Sequence, residues 1–407
     1  MVFSLVILAN FSSASAPASA AKDDAFFRMI ESDDVAGVRA AIEAGADVNA
    51  RGRFGQLPLI LALNHDPRIV AMLLDASADV NPRDQNRYGG LTPLFYAAHL
   101  FPGLRRDRDP AVQLANTALL LEAGADVNAR EGSGQTPLIF AGTLALGIFP
   151  EAEGKLVKML LDAGADVNAR DEFGRTPLMT WVQEGSSEAV KMLLDASADV
   201  NAKDVHDDMT PLLCAASMGN PDGAANLKML LDAGADANAR ANDGVSALCL
   251  ASMFGRYESV AVLLDAGADV NVRVRGFAPL HMAAGLVAME NENNRDSFKE
   301  RADRAISMFA VRDRTRKPPT DFLAATKLLV EAGADVDARS IEDEAPLLDS
   351  LGMNTSPRTQ TERTWVGEEK KLAGKTPLEV ARVVGNDEVA KYLEERGREK
   401  ATGANKN

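Results

Sequence analysis

Cysteine and aromatic residues are scarce in this sequence, and basic residues are fewer than acidic ones. Two cysteines in 407 residues exclude a disulfide framework and any cysteine-rich zinc module. Aromatic residues make up only 5% of the chain, although apolar residues make up 46%, so the core must consist of Ala, Leu and Val. The 44 Lys and Arg against 59 Asp and Glu give a net charge of −15. Because an acidic surface repels phosphate backbones, this charge argues against a general nucleic-acid binder.

The N-terminus reads as a leader sequence. The apolar run Met1–Ala9 is followed by a tract of small residues with two A-x-A patterns, Ala14–Ala16 and Ala18–Ala20. An apolar run of this length before A-x-A is typical of a secretory signal peptide, whereas a membrane-spanning helix needs about 20 apolar residues. No Lys or Arg precedes the run. We expect a signal peptide over residues 1–20 and a periplasmic or secreted protein. If the segment is retained, a cytoplasmic location follows.

Two short strings recur along the chain and alternate with each other. The string A-[GS]-A-D ends at Asp47, Asp79, Asp126, Asp166, Asp199, Asp236, Asp269 and Asp335. The string T-P-L, or a variant of it, starts at Leu57, Thr92, Thr136, Thr176, Thr210, Ser246, Ala278 and Thr376. The smallest spacings between the Asp residues are 32 and 33 residues. Self-similarity at this period indicates a stack of supersecondary units, with insertions where the spacing is longer.

Each part of the repeated unit has a physical role. The Thr hydroxyl of T-P-L caps a helix, and Pro suits the first helical position because its φ is already fixed. A second helix ends in L-L-D-A-G, where Gly adopts a left-handed conformation without a steric penalty. Ser77 and Ser197 stand at this Gly position, and each costs about 1 kcal/mol if it is left-handed. A single helix pair cannot bury both of its apolar faces, so neighbouring pairs must stack.

These motifs closely resemble the ankyrin repeat family, and with the leader the chain resembles exported bacterial members of it. The resemblance covers residues 24–397 apart from insertions, and we count about nine units. It implies an all-α solenoid of helix-turn-helix units with hairpin-like fingers at one edge, and a non-catalytic scaffold that binds a protein partner on a rigid concave surface. One departure is that the histidine of the family's T-P-L-H motif survives only as His281, where Ala278 replaces Thr.

Four insertions interrupt the repeat, at about residues 99–116, 143–154, 286–321 and 341–374, and residues 398–407 are expected to form a disordered tail. Within the third insertion, Arg295–Lys317 carries eight Lys or Arg against four acidic residues, with apolar residues at helical spacing. We favour a helix that packs on the acidic solenoid. The alternative is a basic helix that docks a partner or an anionic membrane surface. An enzymatic site in this insertion is a further alternative.

The finger tips are the candidate binding surface, because several place Arg beside an aromatic residue. Both residue types are enriched in binding hot spots. The opposite interpretation is also open, in which the Arg residues belong to the repeat framework and the aromatic rings pack on the neighbouring finger. The candidate partner-binding residues are Arg51, Arg53, Phe54, Arg83, Arg87, Tyr88, Arg170, Phe173, Arg175, Arg273, Arg275 and Phe277.

Residues that could carry chemistry are scattered. His65, His99, His206 and His281 belong to different units and have no partner at metal-ligand spacing. Cys214 and Cys249 lie on first helices, and we expect both to be small buried core residues. The Asp of each G-A-D-V-N recurs at one structural position, which indicates framework. The sequence therefore predicts no catalytic residue, no cofactor, no metal site and a monomer.

Overall fold

A computed structural model gives the fold over most of the chain. It describes residues 20–52, 55–84, 90–98, 109–144, 149–184, 186–217, 223–274, 276–284, 321–340 and 374–402. Every regular element within these residues is a helix, and the extended backbone that they contain is limited to two isolated bridges, Arg240 with Ser246 and Val274 with Phe277. The all-α prediction is confirmed. The contacts divide the chain into two units, residues 1–199 and 200–407.

In the first unit the helices follow one another as pairs, a first helix and then a second helix. They are α1 Ala20–Glu31 and α2 Val35–Glu43, α3 Pro58–Ala62 and α4 Pro67–Asp75, α5 Pro93–Ala97 and α6 Pro110–Glu122, α7 Pro137–Leu144 and α8 Pro150–Asp162, and α9 Pro177–Glu184 and α10 Ser187–Asp195. Each first helix contacts the next first helix, and each second helix contacts the next second helix. The unit is therefore two layers of helices with the apolar core between them.

The second unit continues the same order of elements. Its helices are α11 Pro211–Ser217 and α12 Gly223–Asp232, α13 Ala247–Met253 and α14 Tyr257–Asp265, α15 Pro279–Ala283 and α16 Phe322–Glu331, and α17 Pro377–Val384 and α18 Asp387–Thr402. First helices again contact first helices, and second helices contact second helices. The pairing of α15 with α16 shows that the third insertion falls between the two helices of one pair.

The T-P-L strings begin first helices as predicted, although the caps differ in quality. The hydroxyls of Thr136, Thr176 and Thr210 accept hydrogen bonds of 3.3–3.4 Å from the amide three residues on. Thr376 forms a reciprocal capping box with Glu379, whose Oε2 accepts from the Thr376 amide at 2.8 Å. The expectation is wrong for Thr92, whose buried hydroxyl makes no capping bond.

Two of the predicted insertions are partly helical. Residues 110–116 and 150–154 belong to α6 and α8, which have 13 residues each, whereas α2, α4 and α10 have nine. Relative to these helices, α6 and α8 are four residues longer at the N-terminal end, 13 against nine, and the bounds of the insertions stay a prediction. The segment Arg295–Lys317 and most of the third and fourth insertions lie outside the described residues.

The prediction of a disordered tail over residues 398–407 is wrong for the first part of that range. Helix α18 continues to Thr402. Its last turns are held by Lys400, whose Nζ lies 2.6 Å from the Asp337 carboxylate, and by the ion pair of Arg398 with Glu394 at 2.9 Å. Pairing of this kind at the basic end of a helix opposes fraying. Residues 403–407 lie outside the described residues.

Candidate functional site

The fingers, the segments that join each second helix to the next first helix, are tied together by asparagine side chains. Asp126 Oδ1 accepts from the amide of Asn128 at 3.0 Å, which fixes a tight turn. Asn128 then reaches the next repeat, where its Oδ1 accepts from the Asp166 amide at 2.8 Å and its Nδ2 donates to the Gly164 carbonyl at 2.9 Å. Each such asparagine satisfies two backbone groups that the helix end leaves open.

The same contact recurs in both units, and we call it the asparagine ladder. In the first unit its pairs are Asn49 with Asp79, Asn81 with Asp126, Asn128 with Asp166, and Asn168 with Asp199. In the second unit they are Asn201 with Asp236, Asn238 with Asp269, and Asn271 with Asp335. The prediction that the Asp residues of G-A-D-V-N are repeat framework is confirmed.

Arginine side chains form a second ladder across the fingers. In the first unit, Arg83 Nη1 donates to the carbonyl of Gly90 in its own finger at 3.1 Å and to the carbonyl of Arg130 in the next finger at 2.8 Å. Arg51 and Arg130 make the equivalent pairs of bonds. In the second unit, Arg273 Nη1 bonds the carbonyls of Gly276 and Arg339 at 3.1 and 2.9 Å. These contacts favour the framework interpretation for Arg51, Arg83 and Arg273.

The finger at residues 171–175 presents an exposed aromatic ring. The Phe173 side chain is 38% exposed, and the Arg175 guanidinium carbon lies 5.2 Å from its ring centroid. Buried Asp171 organises the turn, because its carboxylate accepts from the amides of Phe173 and Arg175 at 3.0 and 2.8 Å and from Arg175 Nε at 2.9 Å. The Glu172 amide donates to the Ser133 carbonyl of the preceding finger at 3.1 Å. The finger therefore holds Phe173 in a fixed position.

The expectation of an exposed aromatic does not hold for Phe277. This side chain is only 7% exposed, and its ring meets the His281 ring edge-on at 5.9 Å between centroids. Its finger is short, since Val274 and Phe277 bridge each other directly, and the ring turns inward onto α15. Of the remaining candidates, Arg170 is exposed. Arg53, Phe54, Arg87, Tyr88 and Arg275 lie outside the described residues.

His281 is a structural residue. It is fully buried, its Nδ1 accepts from the Ala278 amide at 3.2 Å, and its Nε2 lies 3.2 Å from the Lys375 carbonyl. These partners require a neutral ring with the proton on Nε2. Burial lowers the pKa of His281 to about 4. The imidazole thus accepts from the N-cap amide of α15, as Glu379 does at α17, and it links α15 to the finger that precedes α17.

The other candidate chemical groups lie apart from one another along the described residues, and His99 lies outside them. Cys214 and Cys249 are buried, as predicted, and burial raises the pKa of the Cys249 thiol to about 11. His65 Nδ1 lies 3.3 Å from Asp33, and the His206 carbonyl accepts from Asn242 Nδ2 at 2.7 Å. The described part of the chain contains no group of three or more His, Cys, Asp or Glu that could hold a metal ion. None of its helices has the length and apolarity needed to span a bilayer.

Two groups that the sequence reasoning missed emerge from the structure. Val205, at a finger tip of the second unit, is 61% exposed. Arg256, between α13 and α14, is 4% exposed, and its Nε and Nη1 lack a hydrogen-bond partner within the described residues. A lone valine and a lone arginine in a repeat give no sequence signal of this kind.

Comparison with known proteins identifies the repeat. A family model described as ankyrin repeats (3 copies) matches residues 111–204, 149–241 and 223–294. A solved structure, the crystal structure of the ankyrin repeat domain of Bcl-3, which its title calls a unique member of the IkappaB protein family, is 28% identical. The alignment covers 56% of this chain and 94% of that chain, with a TM-score of 0.43. A search among curated proteins found no match. The number of units, about nine, stays a prediction.

Proposed function

Because the chain belongs to the ankyrin-repeat family, we propose that it is a non-catalytic scaffold whose exposed finger side chains bind a partner protein. Ankyrin repeats imply protein–protein interaction, and members of the family are generally non-catalytic interaction domains. The partner would lie against a preformed concave surface. The identity of the partner does not follow from the repeat, because the framework residues are shared by every unit.

The exposure of Phe173 on the finger at residues 171–175 is the observation that carries this proposal. A phenyl ring at 38% exposure, with a guanidinium over its face, offers apolar area and a cationic edge together. Aromatic and Arg side chains supply much of the binding energy at protein interfaces. Asp171 already fixes the turn, so a partner does not have to order it, and the entropy cost of binding is reduced.

The two ladders support a rigid surface around this finger. In the first unit, Arg130 Nη1 bonds the Arg170 carbonyl at 2.7 Å, and Asn128 bonds Asp166 and Gly164. These bonds fix the backbone on which Arg170 and Phe173 stand. Specificity then depends on the exposed side chains, whereas the ladders contribute stability that is common to all repeats.

Affinity capture from the native host, with quantitative mass spectrometry, tests the proposal. Phe173→Ala removes the exposed ring, and we expect it to lose most of a protein that wild type retains. Val383→Ala is the matched control, because Val383 is 47% exposed on α17 and belongs to no finger. Equal recovery of the same protein by wild type and Phe173→Ala would overturn the role of this finger.

Export is the second element of the proposal, and it rests on residues 1–20, most of which lie outside the described residues. We propose that this segment is removed and that the protein acts in the periplasm or outside the cell. Mass spectrometry of the protein recovered from those fractions gives the N-terminal residue. Recovery of the intact N-terminus, in the cytoplasm only, would show an intracellular scaffold instead.

A membrane-surface adaptor is an alternative that depends on the basic segment Arg295–Lys317. Sedimentation with anionic vesicles, with and without this segment, separates it from a protein binder. Co-sedimentation that is lost on deletion would favour the adaptor. Catalytic turnover that is lost on deletion would favour an enzyme.

A further inference from the structure

Arg256 is an unusual residue at the start of a second helix. It occupies the N-cap position of α14 and makes no capping hydrogen bond. The equivalent positions of α2, α4, α6 and α16 carry Asp, and each Asp accepts from the first turn of its helix. A cation at this position is repelled by the helix dipole, whereas a carboxylate is attracted. The exchange of Asp for Arg reverses the local charge.

The Arg256 charge is buried and lacks a counter-charge within the described residues. The side chain is 4% exposed, no described carboxylate lies within ion-pair distance, and Nε and Nη1 have no hydrogen-bond partner there. The guanidinium lies 5.6 Å from the Phe254 ring centroid. Burial lowers the pKa of Arg256 to about 10, so the group keeps its charge near neutral pH. A buried charge without a partner is strongly unfavourable.

The guanidinium faces the N-terminus of a neighbouring helix. Arg256 Nη1 lies 3.6 Å from the point that a Cβ on Gly223, the first residue of α12, would occupy. The other described atom near that point is the Ala215 carbonyl oxygen, also at 3.6 Å. The first amides of α12 point out of the helix and carry partial positive charge. Because Gly223 has no side chain, no Cβ stands between these amides and Nη1.

We propose that this space binds one small monovalent anion, of the size of chloride or acetate. The anion accepts hydrogen bonds from Arg256 Nη1 and from the first-turn amides of α12. Helix N-termini and guanidinium groups are both common anion ligands, and here they converge from two elements of the second unit. The site would tie α12 to the turn between α13 and α14.

Thermal unfolding of the intact protein tests the site. Wild type is titrated with sodium chloride and with sodium acetate, and sodium methanesulfonate keeps the ionic strength constant. A specific site produces a hyperbolic rise in Tm that saturates, and at tenfold above Kd the rise is about 2–5 °C. Arg256→Met should remove the dependence. Arg382→Met, which removes an exposed Arg paired with Glu394 at 3.3 Å, is the matched control and should titrate like wild type.

Two results would overturn the proposal. One is a linear dependence on anion concentration that Arg256→Met shares with wild type, which indicates a general salt effect. The other is a wild-type Tm that does not depend on the anion, whatever Asp222→Asn does. Asp222 precedes α12 in the sequence, and a Tm loss in Asp222→Asn equal to that in Arg256→Met would in that case assign the counter-charge to the chain itself. If Arg256→Met does not fold, the saturating dependence of wild type and its loss in Arg256→Gln decide the question.

Discussion

Asn271 Oδ1 accepts a hydrogen bond of 3.0 Å from the amide of Asp335, although 64 residues separate the two in the sequence. The equivalent bond between Asn238 and Asp269 spans 31 residues and measures 2.8 Å. The contact between neighbouring repeats is therefore the same whether or not an insertion lies between them. In the second unit the third insertion leaves the register of the fingers unchanged.

This relationship predicts the effect of Asn271→Ala. The change leaves the Asp335 amide and the Gly333 carbonyl without their partner, and we expect a loss of about 1–2 kcal/mol in the free energy of unfolding. Urea unfolding followed by circular dichroism measures it. Asn64→Ala, at an exposed position outside the ladder, should stay within about 0.5 kcal/mol of wild type. Equal losses in the free energy of unfolding for Asn271→Ala and Asn64→Ala would show that the asparagine ladder does not stabilise the fold.

The serines at the ends of α4 and α10 predict a gain in stability. Ser77 and Ser197 have φ of +65° and +64°, as their alignment with Gly predicts. Replacement of either by Gly relieves a strain of about 1 kcal/mol. The melting temperature should rise in Ser77→Gly and stay near wild type in Ser77→Ala, which keeps the strained Cβ. An equal rise in both would assign the effect to the lost hydroxyl.

Gly164 and Gly397 should respond in opposite directions to a larger side chain. Gly164 has φ of +88°, where a β-branched residue is strongly strained, whereas Gly397 lies inside α18 with open space around it. Gly164→Val should lower Tm, and Gly397→Ala should raise the free energy of unfolding by up to about 1 kcal/mol, since Ala favours a helix. Differential scanning calorimetry compares them, and equal shifts would contradict the assigned conformations.

His281 predicts a loss of stability in acid. Its folded pKa of about 4 lies below the ordinary value of 6.5, so the unfolded chain takes up a proton first as the pH falls. The contribution of His281 to the free energy of unfolding is complete above pH 6.5. Roughly 3 kcal/mol of it is lost as the pH falls to 4. His281→Gln cannot titrate and should flatten this part of the stability profile. Parallel profiles for the two proteins, measured by urea unfolding between these pH values, would contradict the burial of a neutral ring.

The helix pairs could be predicted from the sequence because their signals are local. Thr or Ser before a helix, Pro at its first position and Gly after its partner each act within a few residues, and they recur with one period. The ends of α6 and α8 were harder to predict. Both helices have 13 residues, whereas α2, α4 and α10 have nine, and a spacing between motifs does not show which element absorbs the added length.

Some candidate binding residues belong to the framework and others are exposed, for a reason that the sequence does not show. Arg83 and Arg175 both lie in fingers, but the acceptors of Arg83 are backbone carbonyls in two fingers, and the acceptor of Arg175 is the Asp171 carboxylate. The position of the ladder arginines after D-V-N-x recurs in the sequence, but carbonyls carry no residue identity, so the sequence does not show which atoms these arginines bond. Phe173 and Phe277 likewise differ in exposure only because the second finger is shorter and its ring packs on His281.

The most direct test of the account is the Kd of the protein for the partner that it captures, measured for wild type, Phe173→Ala and Val383→Ala. The account predicts that Phe173→Ala raises Kd by roughly tenfold or more while its Tm stays within about 2 °C of wild type, and that Val383→Ala leaves Kd unchanged. A Kd that is the same for wild type and Phe173→Ala would contradict it.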